Sequence, residues 1–324
     1  MVRAIRMEAT GGVEVLHWEE VTLDPPGEGE AQIRHTAIGV NFIDTYHRTG
    51  LYPVELPCVL GMEAAGVVED VGQGVAHVET GDRVVYGAGP IGAYAEARNV
   101  PAQRLVRLPE EITDREAAAA FVKGLTVRYL VRQTHEVLAG ETVLWHAAAG
   151  GVGLIACQWL RALGANVIGT VGTEEKGELA KEHGCDHVIL YRHENITERV
   201  REITDGEMCR VAFDSVGAST FEPCLASLAP RGMMVTFGNA SGPVDAIPPL
   251  ALAKQGSVFL TRPRLVDYYK TLDETADGIA ALFEMITSGA IKPYIGARYP
   301  VQDAAQAHRD LEARKTVGSS VLVV

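Results

Sequence analysis

The chain has 324 residues, a formal net charge of −13 and 47% hydrophobic residues, which suits two domains with a core each. The negative charge argues against a nucleic-acid partner, because a phosphate backbone needs a positive protein face. No apolar run is long enough to span a membrane and the N-terminus lacks a signal-peptide core, so we expect a cytoplasmic protein with no membrane partner.

Residues 1 to about 120 have the pattern of a β-rich domain. Turn signals such as Pro25-Pro26-Gly27 separate short apolar stretches, which are Ala31–Val40, Ala64–Val71, Asp82–Tyr86 and Gly92–Glu96. This pattern predicts a partly closed antiparallel sheet that resembles a barrel.

From Glu141 onward, short apolar strands alternate with amphipathic helices. The predicted strands are Thr142–His146, Asn166–Val171, His187–Leu190, Arg210–Asp214, Met233–Gly238 and Ser257–Thr261. Six strands in this alternation predict an α/β domain with a doubly wound parallel sheet.

The elements after Thr261 are too few for a domain of their own. They comprise two helical stretches and a closing strand, which are Asp273–Ser288, Ala304–Ala313 and Ser320–Val324. We therefore predict that they return to the N-terminal domain. The chain would then consist of a discontinuous domain, residues 1–122 and 263–324, around an inserted domain of residues 123–262.

A glycine-rich turn follows the first strand of the predicted parallel sheet. Ala148–Gly153 matches the dinucleotide-binding pattern G-x-G-x-x-G, with alanine in the first place. Gly150 would let the backbone approach a pyrophosphate, and Gly153 would let the helix pack closely on the strand. The free N–H groups of the helix would face the anion. A strand before the turn and a helix after it favour nucleotide binding over a plain structural turn.

The end of the second strand indicates which dinucleotide is bound. NAD enzymes place Asp or Glu there, on the ribose 2′-hydroxyl, whereas this chain continues with Gly172 and Thr173. Lys176 follows, and a cation without a carboxylate favours a 2′-phosphate. We therefore predict NADP(H) over NAD(H). The alternative is a solvent-facing Lys176 in the first turn of a helix, beside Glu174 and Glu175.

Eight motifs run in order through essentially the whole chain. They are Gly39–Tyr46, Arg48–Pro53, Gly61–Val68, Gly81–Val85, Lys123–Thr126, Ala147–Gly153, Phe213–Gly217 and Phe237–Gly242. In these motifs the chain resembles the quinone oxidoreductases, the zeta-crystallin branch of the zinc-independent medium-chain dehydrogenases. The resemblance implies a GroES-like catalytic domain, a Rossmann domain and hydride transfer from NADPH to a quinone in the cleft between them. It also implies a homodimer that joins the edge strands of the cofactor domains, here Ser257–Thr261.

The resemblance further implies which residues contact NADPH. Phe42–Tyr46 and Tyr129 would line the nicotinamide, with Asp44 orienting the nicotinamide or ribose rather than acting as a base. The full set of expected cofactor contacts is Phe42, Ile43, Asp44, Thr45, Tyr46, Thr126, Tyr129, Gly150, Gly151, Val152, Gly172, Thr173, Lys176, Tyr191, Val216, Phe237, Gly238, Asn239, Ser241, Arg262 and Arg314.

A catalytic metal is not expected. Zinc enzymes of this superfamily carry Gly-His-Glu where this chain has Gly61-Met62-Glu63, and a cysteine near the place of Asn41. Methionine and an amide are poor zinc ligands, so a three-ligand site cannot assemble. Glu63 would then have a structural role, paired with a nearby arginine.

A quinone is electrophilic enough to accept hydride without a Lewis acid. The protein would supply proximity, a dry slot and a hydrogen bond to the developing oxyanion. Asn41, Tyr46 and Tyr52 are the candidate donors. Tyrosines that only form the wall of the slot are the alternative.

Two other functions compete with quinone reduction. An NADPH-dependent alkenal or enoyl double-bond reductase of the same superfamily is hard to separate by sequence, because it needs the same cofactor and an activated acceptor. A non-catalytic crystallin-like or RNA-binding protein is the second alternative, and the net charge of −13 argues against RNA binding.

Overall fold

The computed structural model describes residues 1–324, which form two compact units. Unit 1 contains Met1–Lys123 and Pro293–Val324, and unit 2 contains Gly124–Lys292. One unit is therefore discontinuous, but its second part begins later than predicted. Residues 263–292, which the sequence assigned to the discontinuous domain, lie in unit 2.

The N-terminal part of unit 1 is rich in strands. Its elements are β1 (Val2–Met7), β2 (His17–Val21), β3 (Glu30–Val40), α1 (Phe42–Thr49), β4 (Cys58–Val59), β5 (Glu63–Val71), β6 (Arg83–Gly87), β7 (Ala97–Pro101) and β8 (Val106–Arg107). Helix α2 (Asp114–Tyr129) follows and contains the boundary between the units.

Unit 2 continues from α2 with alternating strands and helices. Its elements are β9 (Thr142–Trp145), α3 (Gly151–Ala162), β10 (Asn166–Val171), α4 (Glu174–Glu182), β11 (His187–Leu190), α5 (Ile196–Ile203), β12 (Cys209–Asp214), α6 (Phe221–Ala226), β13 (Leu228–Thr236), α7 (Pro249–Lys254), β14 (Phe259–Thr261), α8 (Leu265–Tyr268) and α9 (Leu272–Thr287).

All six strands of unit 2 are parallel, in the order β11-β10-β9-β12-β13-β14. Counted from β9, this is the order 3-2-1-4-5-6 of the Rossmann fold. The predicted doubly wound sheet is confirmed. Nucleotides bind to such a sheet at the carboxyl ends of the strands, where the strand order reverses, which here is next to β9.

The chain returns to unit 1 with β15 (Ile295–Pro300), α10 (Ala304–Glu312) and β16 (Ser319–Val323). The main sheet has the order β15-β16-β3-β5-β6-β8, and β7 pairs with β3. All of its pairs are antiparallel except β15 with β16. A second antiparallel sheet has the order β2-β1-β4. The predicted β-rich domain is confirmed.

The predicted strand Gly92–Glu96 is wrong. Only Ala95 forms an isolated bridge, with Ala4, and the strand β7 begins at Ala97. The N–H groups of Gly92 and Ala93 both donate to Gly61 O, at 2.9 and 3.2 Å. Beyond these bonds the segment runs beside β1, because the Ile5 N–H donates to Tyr94 O at 2.7 Å and the Glu96 N–H donates to Arg3 O at 2.9 Å, but its pairing amounts to a single bridge and not a strand.

The position of residues 263–292 follows from contacts within unit 2. Leu282 of α9 packs against Gly124, where a side chain on the glycine would overlap it. Tyr269 Oη donates to Leu125 O at 2.9 Å, and Lys292 N donates to Gln158 Oε1 at 2.8 Å. Helix α9 therefore packs on the second half of α2, and the segment after it is bonded to α3. The sequence pattern did not reveal these contacts.

The fold also bears on the question of a membrane. Its helices include none with the combined length and apolarity that crossing a bilayer requires.

Candidate functional site

The glycine-rich turn of unit 2 connects β9 to α3. Gly150 is the N-cap of α3, in an extended conformation with φ −80° and ψ 172°. Its N–H donates to Ala147 O at 2.9 Å, and Ala147 has φ 55°, which closes the turn. The first N–H groups of α3 lack partners within the helix, as at every helix start, and this end of the helix favours an anion.

In this turn Gly153 leaves no room for a side chain, and Gly150 leaves little. A Cβ on Gly150 would lie 3.2 Å from Ala147 O. A Cβ on Gly153 would overlap the carbonyl oxygens of Ala147 and Ala148. Gly153 therefore lets the first turn of α3 approach the backbone that follows β9, and Gly150 keeps the N-terminus of the helix open toward a ligand.

The end of β10 brings together residues that the sequence linked to the adenosine end of the cofactor. A Cβ on Gly172 would lie 2.9 Å from Tyr191 Oη. Thr173 caps α4, and its hydroxyl accepts the Lys176 N–H at 3.3 Å. Glu174 and Glu175 are exposed, as expected for a solvent-facing first turn.

Arg192 is a residue at this end that the sequence analysis missed. Its Nε would lie 3.3 Å from a Cβ on Gly172, and the residue is exposed. A second cation beside the buried Gly172 adds to the positive charge of Lys176. The only sequence signal is its position next to Tyr191.

The loops after β12 and β13 gather a further group of expected cofactor residues. Asp214 is fully buried and its Oδ1 accepts the Val216 N–H at 2.8 Å. Ser241 Oγ donates to Val216 O at 2.9 Å, and Arg262 Nη1 donates to Gly238 O at 3.2 Å. These bonds connect the carboxyl ends of β12 and β13, where the Phe237 ring also lies 5.7 Å from the Trp145 ring.

Tyr129 belongs to an aromatic cluster of unit 2. Its ring stacks on Tyr268 at 4.5 Å with an interplanar angle of 17°, and it meets Tyr269 edge-on at 6.4 Å. Tyr129 is 2% exposed, and burial raises the pKa of its hydroxyl. Thr126 lies one turn earlier on α2 and is half-buried.

In unit 1, the residues expected to line the nicotinamide and the acceptor lie on α1 and just beyond it. The rings of Tyr46 and Tyr52 meet edge-on with centroids 5.2 Å apart, and Phe42 lies 6.2 Å from Tyr46. Tyr46 is 8% exposed and Tyr52 is half-buried. The structure therefore brings the two candidate tyrosine donors together. Arg314 lies after α10, with φ 58°.

Asp44 is enclosed by unit 1. The residue is 0% exposed, and its Oδ2 accepts the Asn41 N–H and the Tyr94 hydroxyl, each at 2.9 Å. Burial raises the pKa of the carboxyl to about 7, although both hydrogen bonds lower it. Oδ1 is buried without a hydrogen-bond partner. A side chain in this position orients α1 from inside, and the expected contact of Asp44 with nicotinamide or ribose stays a prediction.

Glu63 forms the centre of a second buried polar cluster. Its Oε1 accepts Asn41 Nδ2 at 2.8 Å and Lys123 Nζ at 3.0 Å, and its Oε2 accepts the Val122 N–H at 2.7 Å. The expected arginine partner of Glu63 is wrong, because Lys123 takes that place. The signal in the sequence was a single lysine within the apolar stretch Ala117–Leu125.

These contacts decide how well this region suits zinc. Glu63 already receives three donors, Asn41 offers only an amide, and Met62 only a thioether. No group of three or more His, Cys, Asp or Glu side chains is arranged to hold a metal ion. The residues at positions 41, 62 and 63 do not fit a zinc ion.

Comparisons with known proteins agree with this architecture. The family described as "Alcohol dehydrogenase GroES-like domain" matches residues 27–110, and the family described as "Zinc-binding dehydrogenase" matches residues 151–278. The first match confirms the predicted GroES-like domain.

Several relatives match over the whole chain. A quinone oxidoreductase of Pseudomonas aeruginosa is 49% identical over 100% of both chains. A 2-haloacrylate reductase of a Burkholderia species is 44% identical, over 100% of this chain and 99% of that protein. The crystal structure of Escherichia coli quinone oxidoreductase complexed with NADPH is 49% identical, with a TM-score of 0.97, over 99% of this chain and 100% of that chain.

Proposed function

Because the chain belongs to the quinone oxidoreductase family of the medium-chain dehydrogenases, we propose that it reduces a quinone with NADPH, by hydride transfer and without a metal. The observation that carries the proposal is the full-length match at 49% identity to a quinone oxidoreductase solved with NADPH. The glycine-rich turn at the switch point of a 3-2-1-4-5-6 sheet supports it independently.

The residues of unit 2 fit NADPH along the carboxyl edge of the sheet. The N–H groups of Gly151 and Val152 would bind the pyrophosphate at the start of α3. Gly172, Thr173, Lys176 and Tyr191 would hold the 2′-phosphate end, where the chain offers cations and no buried carboxylate.

The remaining expected contacts complete the cofactor site in this proposal. When bound, NADPH supplies the hydride. The residues that would position it are Phe42, Ile43, Thr45, Tyr46, Thr126, Tyr129, Gly150, Val216, Phe237, Gly238, Asn239, Ser241, Arg262 and Arg314.

The residues of unit 1 would serve the acceptor. Asn41, Tyr46 and Tyr52 carry amide or hydroxyl donors, and the two tyrosine rings offer a flat apolar surface for a quinone. Asn41 Nδ2 uses one proton on Glu63 and keeps the other for a ligand. Hydrogen bonds from these groups would stabilise the negative charge that develops on the quinone oxygen.

The initial rate of NADPH oxidation tests the proposal. An ortho-quinone should be reduced rapidly with NADPH and much more slowly with NADH. The same assay without enzyme is the control, because quinones also react with the cofactor in solution. An enzyme that leaves the quinone rate at this background would contradict the proposal.

Double-bond reduction is the second candidate, favoured by the 44% identity to a 2-haloacrylate reductase. Both reactions transfer hydride to an acceptor in which a carbon–carbon double bond is conjugated with a C=O group. An enal and 2-chloroacrylate belong in the same assay at equal concentration. If only these two compounds are reduced, the assigned fold and cofactor stand, and the function is double-bond reduction.

We also propose a homodimer formed through β14. This strand is the last of the unit 2 sheet, so one side of it has no partner strand, and Phe259 on it is 58% exposed. An unpaired edge with an exposed aromatic side chain suits pairing with a second copy of the chain.

A further inference from the structure

Within the proposed function, we propose that Lys123 is a catalytic residue. Its ammonium group, held by Glu63 beside Asn41, would donate a hydrogen bond to the acceptor oxygen that becomes negative when hydride is added. The acceptors that use it most would be carbonyl compounds with a conjugated double bond.

The ion pair of Lys123 and Glu63 is buried. The side chains of Lys123 and Glu63 are 6% and 0% exposed, and Nζ lies 3.0 Å from Oε1. A buried ion pair rarely adds stability compared with apolar side chains of the same volume, because both charges lose their hydration. Its presence in an otherwise apolar part of α2 therefore calls for a reason besides stability.

The hydrogen bonds of Glu63 leave part of the Lys123 ammonium group without an acceptor. Glu63 has two further partners, Asn41 Nδ2 at 2.8 Å and the Val122 N–H at 2.7 Å, so its carboxylate is satisfied from three directions. A lysine ammonium has three N–H donors. Glu63 is the single hydrogen-bond acceptor of Nζ in this structure, which leaves two donors for a ligand.

The donor groups of Lys123 and Asn41 lie side by side. Lys123 Nζ and Asn41 Nδ2 lie within hydrogen-bond distance of the same oxygen, Glu63 Oε1, so they are direct neighbours. Asn41 also caps α1, the helix that carries Tyr46. A positive donor and a neutral donor side by side, both aligned by one carboxylate, form an arrangement suited to an oxyanion.

The chemistry balances without a change in the protonation of Lys123. Hydride adds to the acceptor, and the electron pair of the broken π bond moves to the acceptor oxygen. A quinone then becomes a hydroquinone anion, and an enone becomes an enolate. Water delivers the proton that completes each product, and NADP⁺ leaves. An enolate is a stronger base than a hydroquinone anion, so an enone depends more on the ammonium donor.

Steady-state kinetics of Lys123→Met, with an ortho-quinone and an enone as acceptors, is the first test. We expect kcat to fall about 100-fold or more with the enone, the usual loss for an oxyanion donor, and by less with the quinone. The Kd of NADPH should stay unchanged. Lys181→Met is the matched control, because Lys181 forms a 2.9 Å pair with Glu178 on the exposed surface of α4.

Removing Lys123 alone leaves a buried unpaired carboxylate, which can unfold the protein. Lys123→Met combined with Glu63→Gln removes both charges and should fold, with the same loss of enone turnover. Lys123→Arg keeps the charge and should recover part of the rate. Unchanged enone kcat in a folded Lys123→Met or double variant would overturn the proposal.

A spectroscopic titration tests the same site without turnover. The probe is 4-nitrocatechol, a hydroquinone analogue whose anion absorbs visible light, bound to the protein with NADP⁺. A cation at hydrogen-bond distance should lower the pKa of the bound phenol by about 1 or more in the wild type, and the double variant should lose this shift. The same titration in both proteins would refute the role of Lys123. Failure of the wild type to reduce any acceptor would instead refute the proposed function.

Discussion

Asp44 is the end of a chain of buried hydrogen bonds that joins α1 to α10. Tyr94 Oη donates to Asp44 Oδ2 at 2.9 Å, and His308 Nε2 lies 3.1 Å from Tyr94 Oη. Arg48 contacts His308 Nδ1 at 3.2 Å and binds both oxygens of Glu312, at 2.7 and 3.0 Å. Arginine only donates, so Nδ1 of His308 accepts and Nε2 carries the proton. From Arg48 through His308 and Tyr94, the hydrogen bonds are therefore donated in the direction of Asp44.

Charged neighbours act on this carboxyl as well. Burial is the main cause of its raised pKa of about 7, Glu63 raises it further, and Lys123 lowers it. Burial also lowers the pKa of His308 to about 3, so that this histidine stays neutral. Asp44 is thus a buried carboxyl group whose pKa lies near neutral pH.

Asp44→Asn should change how stability depends on pH. The carboxyl titrates near pH 3.8 when unfolded and near 7 when folded, so the native state holds the extra proton between these values. This group therefore makes the wild type less stable as the pH rises from about 4 to 7, by up to about 1.4 kcal/mol per pH unit. In the variant this loss disappears. The melting temperature of Asp44→Asn minus that of the wild type should therefore increase as the pH rises from about 4 to 7.

Thermal melts at several pH values from 4 to 8 measure this effect. Glu312→Gln is a suitable control, because it changes the other end of the same chain, where the Glu312 side chain is 37% exposed. Parallel melting curves for the wild type and Asp44→Asn across the window would contradict the raised pKa.

Lys176→Ala should weaken the use of NADPH selectively. Loss of one charge-assisted hydrogen bond to a phosphate costs about 1.5 kcal/mol or more, which is about tenfold in kcat/KM. NADH lacks the phosphate, so its kcat/KM should hardly change. Arg192→Ala should have a smaller effect of the same kind, and Lys181→Ala, one turn further along α4, should have none. Equal losses of kcat/KM with both cofactors, or no loss with either, would contradict a contact between Lys176 and the 2′-phosphate.

At the scale of an element, the start of α3 depends on Gly153. A methyl group at this position would overlap the Ala147 and Ala148 carbonyl oxygens, so Gly153→Ala must shift the helix away from β9. Strain of this kind costs about 1–3 kcal/mol. We expect a lower melting temperature and about tenfold weaker NADPH binding, because the anion-binding N–H groups move with the helix.

Gly177→Ala is the control for this substitution. Gly177 is also a buried helix residue, but its nearest neighbour is a Val188 methyl group at 3.1 Å, a side chain that can adjust. Alanine favours a helix by about 1 kcal/mol over glycine, so this variant should keep its stability. NADPH affinity and melting temperature both unchanged in Gly153→Ala would contradict the close approach at the turn.

Elements differed in how well the sequence predicted them. β10 and β11 have the predicted bounds, because each is a short run of apolar residues bounded by turn residues. β15 was missed, since its residues alternate between half-buried and exposed and give no apolar run. The Gly92–Glu96 run is apolar because Ala93, Tyr94 and Ala95 are buried beside β1, although only one bridge pairs the segment with that strand.

For the whole molecule, the dimer through β14 can be tested by substitution. Phe259→Asp would place a charge in the interface between two copies, and a buried unpaired charge costs several kcal/mol. The dissociation constant of the dimer, measured by light scattering over a range of protein concentrations, should rise by about 100-fold or more. Leu138→Asp is the matched control, because Leu138 is a 62% exposed side chain outside this strand. A monomeric wild type would contradict the dimer.

Local features of this protein follow from its amino-acid sequence alone. The Ala148–Gly153 turn, the missing acid after β10 and the alternation of strands and helices are written in neighbouring residues, because backbone conformation and burial period act over short distances. They were enough for the fold class and the predicted NADP preference, and the eight ordered motifs indicated the family.

Contacts between residues far apart in the chain were visible only in the tertiary structure. Glu63 forms an ion pair with Lys123, the buried Asp44 accepts a hydrogen bond from Tyr94, and α9 packs on α2. The partners in each of these contacts lie far apart in the chain. The sequence pattern shows that such side chains are buried or charged, but many partners satisfy that requirement equally well. The choice among them depends on which elements the complete fold brings into contact, and it is made by packing and by the need to pair every buried polar group.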